Sequence, residues 1–179
     1  MTLIEEAAKI MLAAHQDQKR KTDGSPYIVH PTAVATKLSD LDFDDAVVAA
    51  ALVHDVLEDT DFPEEKLREK LGDEVWTIVK ALSEDQALEW EERKQAYIDT
   101  IAKSSVKIKA VSIVDKIHNL ECLIAGHAQM GPSIWGKFNR GKEKKMWFEK
   151  ELLKVFKKTW SHDLVDEYEK LIERAEQLN

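Results

Sequence analysis

The chain is poor in cysteine: Cys122 is the one thiol in 179 residues. A single thiol excludes an internal disulfide, and Cys122 is expected as a small core side chain. Positive charge is not in excess. Lys and Arg total 26 against 34 Asp and Glu, for a net charge of −8. That balance makes the chain a poor candidate for non-specific nucleic-acid binding, which needs a basic surface. Any anionic ligand then needs a local basic patch or a metal ion. No apolar run approaches the roughly 18–20 residues of a membrane span. Residues Met1 to Ala14 carry Glu5, Glu6 and Lys9 among their apolar positions, unlike a signal peptide. A cytoplasmic location without membrane partners is therefore expected. Strand alternation is scarce too, and the Asp23-Gly24 pair sits in a polar loop instead of between β-branched runs.

Helical periodicity is abundant. The hydrophobic share of 44% and charged share of 34% suit one ordinary folded domain. Ile4, Ala7, Ala8, Met11 and Leu12 form a first apolar stripe. Gln16 to Ser25 is polar, and Pro31 then suits the first turn of a short helix running to about Leu38. Asp44 to Glu58 is largely apolar and is predicted as one helix at the centre of the bundle. Asp61 is a candidate cap for a helix that starts near Pro63 and stops at Gly72. Further helices are expected over Glu74–Leu82, Trp90–Ala102, Val106–Ala125, Lys142–Thr159 and Asp163–Gln177. Gly126 to Gly141 holds four of the six glycines and Pro132, which predicts a loop with at most a short helix. The expected architecture is all-α, a single bundle of about eight to nine helices over residues 1–179.

Four side chains stand out as metal ligands. His30 immediately precedes Pro31, His54-Asp55 lies deep in the central apolar segment, and Asp115 interrupts the apolar run VSIVDKIHNL. A charged Asp in such a run is costly to bury unless it is paired or bound to a cation. Two imidazoles and two carboxylates without a thiolate suit Mn²⁺, Fe²⁺ or Zn²⁺. Glu58 follows His54 by four residues, and Asp59 follows Asp55 by four. Each stands one helical turn beyond a ligand candidate, where a carboxylate can take or orient a proton of an attacking water. Asn119 stands four residues after Asp115 and can reach the same cavity as a neutral hydrogen-bonding group.

HPTAVA, HDVLEDT and DKIHNL, in this order, resemble the HD-domain phosphohydrolases. More narrowly they resemble the hydrolase domain of RelA/SpoT-type enzymes and their single-domain relatives, the small alarmone hydrolases. The family pattern is matched by Ala14-His15, Arg20-Lys21, Gly24-Ser25-Pro26-Tyr27, His30-Pro31, His54 to Thr60 and Asp115 to Leu120. The likeness is strong over about Ala7 to Ile124 and weaker beyond. It implies that His30, His54, Asp55 and Asp115 bind one Mn²⁺ and that Glu58 and Asp59 activate the attacking water. It implies removal of the 3′-pyrophosphate from ppGpp and pppGpp, leaving GDP or GTP. Arg20 and Lys21 would contact the nucleotide, Asn119 would line its pocket, and Lys94 matches a family lysine ahead of the third motif. Trp147 stands where the family has an aromatic, often Tyr, that faces the nucleotide; it serves either as that stacking ring or as core.

The chain departs from the family pattern at Gln16-Asp17, where Gly is usual, and at Ser112, where Lys is common. Two other readings stand beside the first. The same centre could act on an adenosine alarmone of the ppApp type or on the 2′-phosphate of NADPH. A non-catalytic nucleotide-sensing HD domain is the other, but such a domain should have lost part of its metal or acid set, and all six residues are present. The oligomeric state is not legible in the sequence.

Overall fold

A computed structural model describes residues 2–20 and 22–179. Among these, nine α-helices form the fold and no strand is present. They are α1 (Leu3–His15), α2 (Val29–Asp40), α3 (Asp45–Val53), α4 (Val56–Asp59), α5 (Glu64–Leu82), α6 (Trp90–Lys103), α7 (Val106–Met130), α8 (Gly141–Thr159) and α9 (Asp163–Glu176). A 3₁₀ segment, Gly131–Lys137, links α7 to α8.

Helix α3 is the hub, as its all-round apolar sequence requires. Every residue from Val47 to Val53 is buried, against α1, α2, α5 and α7. Asp44 starts it by accepting the Val47 N–H at 3.1 Å, an N-cap of the usual kind. Helix α7 is the second axis. It packs on α2, α3 and α5 along one half and on α9 and the 3₁₀ segment along the other. The site forms where α2, the α3–α4 junction and α7 converge.

Several expected boundaries move. The single helix predicted over 44–58 is broken between Val53 and Val56. His54 keeps helical angles, but Asp55 opens to φ −93°, ψ −6°, the sparsely occupied bridge region in which many active-site residues sit. Pro63, not Asp61, occupies the N-cap position of α5. Gly72 does interrupt that helix, at φ +83°, which a residue with a Cβ rarely adopts. Helix α7 runs past Gly126 to Met130. Gly126 is there for close packing: a Cβ would stand 2.8 Å from Ile134 Cδ1, which the 3₁₀ segment folds back onto the helix. Pro31 sits within the first turn of α2, where its missing N–H costs nothing. Leu12, expected in the buried stripe of α1, is 48% exposed. Cys122 is half-buried, with its Sγ 3.7 Å from His118 Nδ1.

Candidate metal centre and nucleotide cleft

Three elements deliver the four predicted ligands to one point. His30 comes from the first turn of α2, His54 and Asp55 from the α3–α4 junction, and Asp115 from the middle of α7. His30 Nε2 lies 3.0 Å from Asp115 Oδ1 and 3.6 Å from Asp55 Oδ2. His54 Nε2 lies 3.1 Å from Asp55 Oδ2 and 3.8 Å from Asp115 Oδ1. Ligand atoms of His30, His54 and Asp115 all fall within 4.8 Å of one another. His30, His54 and Asp115 are buried.

The donor set fits a divalent cation. His54 Nδ1 donates to the Ala51 carbonyl at 2.7 Å, which fixes the tautomer and leaves a lone pair on Nε2. That buried Nε2 makes no aligned hydrogen bond, although Asp55 is close. An unsatisfied buried nitrogen facing two carboxylates is a costly arrangement that a cation relieves. Burial alone would depress the His54 pKa, but Asp55 and Asp115 hold it well above the ordinary value. A proton and a cation therefore compete for the same lone pair. Burial alone would raise the Asp115 pKa, but Lys116 and the two imidazoles hold it well below the ordinary carboxylate range.

A second layer holds these groups in place. His30 Nδ1 pairs with His118 Nδ1 at 2.7 Å. With His30 Nε2 turned to the ligand cluster, its Nδ1 donates and His118 accepts. That needs a neutral His118, whose pKa is lowered to about 4 by burial and by the neighbouring His30 and Arg20. Tyr27 Oη donates to Asp55 Oδ2 at 2.6 Å and lies 3.0 Å from Asp59 Oδ2. Its own ring stacks on buried His15, with centroids 4.7 Å apart. Gln18 accepts from His15 Nδ1 at 2.7 Å and donates to the Asp59 carbonyl at 2.9 Å. His15, Tyr27 and His118 fall inside sequence motifs that assign them no role; their work is visible only once three helices meet.

Glu58 lines the same small cavity, of about 140 Å³, as His30, His54, Asp55 and Asp115. Its carboxylate accepts from the Glu84 N–H at 3.0 Å and from Gln86 Nε2 at 2.9 Å. Its pKa is raised to about 7 by burial, with Glu84 and Asp55 adding to the effect. A carboxyl poised near neutrality is suited to proton transfer.

A larger cleft of about 570 Å³ adjoins this cavity, and Tyr27, Lys94, Lys116 and Asn119 line both. The cleft walls carry Lys19, Arg20, Arg93, Lys94, Lys116, Lys137, Arg140 and Lys145 against one carboxylate, Asp59. On a chain of net charge −8, that concentration is suited to an anion. Arg20 Nη2 donates to Asn119 Oδ1 at 3.1 Å, and Asn119 Nδ2 donates to Asp115 Oδ1 at 2.5 Å. Asn119 therefore joins the cleft to the ligand cluster. The loop that presents Arg20 is closed by an isolated bridge between Lys19 and Pro26 and by the Arg20 N–H on the Ser25 carbonyl at 2.8 Å. Lys21 lies outside the described residues. Lys94 pairs with Glu84 at 2.5 Å and stands 4.8 Å from the Phe148 ring centroid. Trp147 is not among the side chains that line the cleft; its ring packs 6.1 Å from that of Trp90. Its neighbours Phe148 and Lys145 line the cleft in its place.

A family model described as HD domain matches residues 7–147. The chain belongs to the HD-domain family. Among its relatives is the guanosine-3′,5′-bis(diphosphate) 3′-pyrophosphohydrolase MESH1 of Xenopus tropicalis, 39% identical over 124 residues, covering 68% of this chain and 69% of that protein. The MESH1 protein of Drosophila melanogaster is 39% identical over 112 residues, covering 61% of this chain and 63% of its own length. A Haemophilus influenzae guanosine-3′,5′-bis(diphosphate) 3′-pyrophosphohydrolase is 36% identical over 116 residues, 62% of this chain, but the match spans only 17% of that longer protein. Among solved structures, a metazoan SpoT orthologue described as hydrolysing ppGpp superposes with a TM-score of 0.84 at 28% identity, over 97% of this chain and 96% of that one. A Listeria monocytogenes protein, lmo0812, gives 0.74 at 31% identity, over 80% and 96%.

Proposed function

We propose that residues 1–179 form one metal-dependent hydrolase domain that removes the 3′-pyrophosphate of ppGpp and pppGpp, releasing GDP or GTP and pyrophosphate. The observation that carries this reading is the shared wall. A cationic cleft of nucleotide size opens, through Tyr27, Lys94, Lys116 and Asn119, onto a cavity lined by two imidazoles and four carboxylates. The named activities of the MESH1 relatives and of the SpoT orthologue support it.

His30, His54, Asp55 and Asp115 would hold a single divalent ion, for which Mn²⁺ is our proposal. Bound there, the ion supplies Lewis acidity toward a phosphoryl oxygen and toward water. The chain's own residues do the remainder. Arg20 and Lys94 bind the substrate's anionic groups, with Lys21 as a further contact, and Asn119 fixes Arg20 relative to the ligand cluster. Glu58 and Asp59 orient the attacking water, and Glu58 takes its proton. Water adds to the phosphorus attached to the ribose 3′ oxygen. That P–O bond breaks, and the ribose oxygen takes a proton from solvent and leaves as the 3′-hydroxyl. Trp147 is proposed to support the cleft wall through Trp90. The reaction would take place in the cytoplasm; no helix of the described residues is long and apolar enough to cross a membrane.

Incubation of the purified chain with ppGpp, with Mn²⁺ or with EDTA, tests the reading when products are resolved by chromatography. Metal-dependent GDP and pyrophosphate are expected, with ppApp and NADPH run in parallel to rank substrates. Turnover of one of those two but not of ppGpp would keep the metal centre and replace the substrate.

A further inference from the structure

Three half-buried lysines, Lys94, Lys116 and Lys145, line the cleft wall beside Phe148 and Phe138. Lys94 Nζ lies 4.8 Å and Lys116 Nζ 5.8 Å from the Phe148 ring centroid. Lys145, three residues before Phe148 on α8, lies 5.8 Å from Phe138, and all three lysines and both rings line the cleft. Lys145 has a carboxylate of its own, Glu149, whereas those of Lys94 and Lys116 are shared with other groups. Glu84 is shared between Lys94 and Arg93, and the Asp115 that pairs with Lys116 at 2.7 Å belongs to the ligand cluster. Burial, Lys116 and Lys145 together hold Lys94 below its ordinary pKa against the pull of Glu84.

Lys145 is anchored in an unusual way. Its Nζ pairs with Glu149, which is 0% exposed. The other Glu149 oxygen accepts from Tyr168 Oη, itself fully buried in α9. An i,i+4 pair on a helix surface needs no such burial. A buried carboxylate is expensive, and breaking the pair would strand it. The arrangement ties one cleft cation rigidly to the core.

We propose that Lys145 completes, with Lys94 and Lys116, a three-ammonium seat for the pyrophosphate group of the substrate, with Glu149 as the positioning residue that fixes Lys145 there. The proposal rests on the hydrolase reading above and names the group that the seat receives. Its location fits: Lys94 and Lys116 line both the cleft and the small cavity, so an anion between them and Lys145 reaches the ligand cluster. The same seat would bind inorganic pyrophosphate as a product.

Calorimetric titration of inorganic pyrophosphate into the full chain, with and without divalent metal, tests this. Lys145→Met alone would leave Glu149 buried without a counter-ion, so the informative pair is Glu149→Gln and the double variant Lys145→Met/Glu149→Gln, each checked by thermal melting. The Gln amide oxygen still accepts from Lys145, so Glu149→Gln is expected to bind pyrophosphate within about two-fold of the parent, and the double variant about ten-fold more weakly. A merely structural role for the pair predicts equal binding by both variants. Equal affinity across all three proteins, or no binding by any, overturns the seat. Turnover of ppGpp by the parent chain is scored separately. Its absence beside lysine-dependent pyrophosphate binding would remove the hydrolase reading and leave the seat standing.

Discussion

Tyr27 Oη donates a 2.6 Å hydrogen bond to Asp55 Oδ2, joining the loop before α2 to a proposed metal ligand. The same hydroxyl reaches Asp59 at 3.0 Å. One phenol therefore fixes the relative position of a proposed ligand and a proposed water-orienting carboxylate. Its own ionisation is pushed up strongly, by burial and by Asp55 and Asp59, so it remains a donor at any working pH. Tyr27→Phe keeps the ring on His15 and removes only the hydroxyl. We expect kcat to fall about ten-fold, the scale of a hydrogen bond to a charged group, with KM for ppGpp little changed. Steady-state kinetics separate the two.

On the proposed mechanism, Glu58 should set the pH dependence. With its pKa raised to about 7, the ionised base accumulates as pH rises, so kcat/KM should climb about ten-fold between pH 6 and pH 8. Glu58→Gln should flatten that limb and cost about 10²–10⁴ in rate. The stability effect runs the opposite way. A carboxyl whose folded pKa lies above its ordinary 4.5 gives stability that is present below that value and is lost as pH rises through about 7. Denaturant titrations should show Glu58→Gln gaining on the parent at pH 8 relative to pH 5.

Removal of metal should unload a buried charge cluster. Asp55 and Asp115 approach the same two imidazoles, and a cation that binds only the folded chain stabilises it by mass action. Chelation is expected to lower the melting temperature by about 5–10 °C, restored by added Mn²⁺. His54→Ala should abolish the metal-dependent part of the shift. An unchanged melting temperature on chelation would contradict the ligand assignment.

Arg20 and Asn119 should behave as one unit. Their 3.1 Å bond joins the cleft to Asp115 through Asn119. Arg20→Met should raise KM about ten-fold, as loss of a charge-assisted contact does. Asn119→Ala should lower kcat and raise KM together. Because the two residues touch, the double variant should lose less than the product of the single losses. Strict multiplicativity in a double-mutant cycle would mean that the bond does not transmit.

Much of this was legible in the chain, for identifiable reasons. The apolar run at 47–53 has to be buried, and a His-Asp pair at its end with Asp115 in a second apolar run has few inexpensive explanations. The structure brings those side chains together. Other features needed three dimensions. His118 and Tyr27 act across 88 and 28 residues, which no local pattern encodes. Trp147 and Phe148 differ by one position, about 100° around a helix, and the sequence offered no means to choose between them. The break at His54–Asp55 leaves no trace in hydropathy, since the apolar pattern continues across it. Glycine often ends a helix, whereas Gly126 makes room for Ile134 within one.

The most direct test of the central claim is the fate of the oxygen from solvent. The chain is incubated with ppGpp and Mn²⁺ in ¹⁸O-labelled water, with an EDTA control, and the products are weighed by mass spectrometry. Attack by an activated water on the phosphorus at the 3′ position predicts metal-dependent turnover, with one label in pyrophosphate and none in GDP. Label in GDP, or turnover that ignores chelation, would contradict the account.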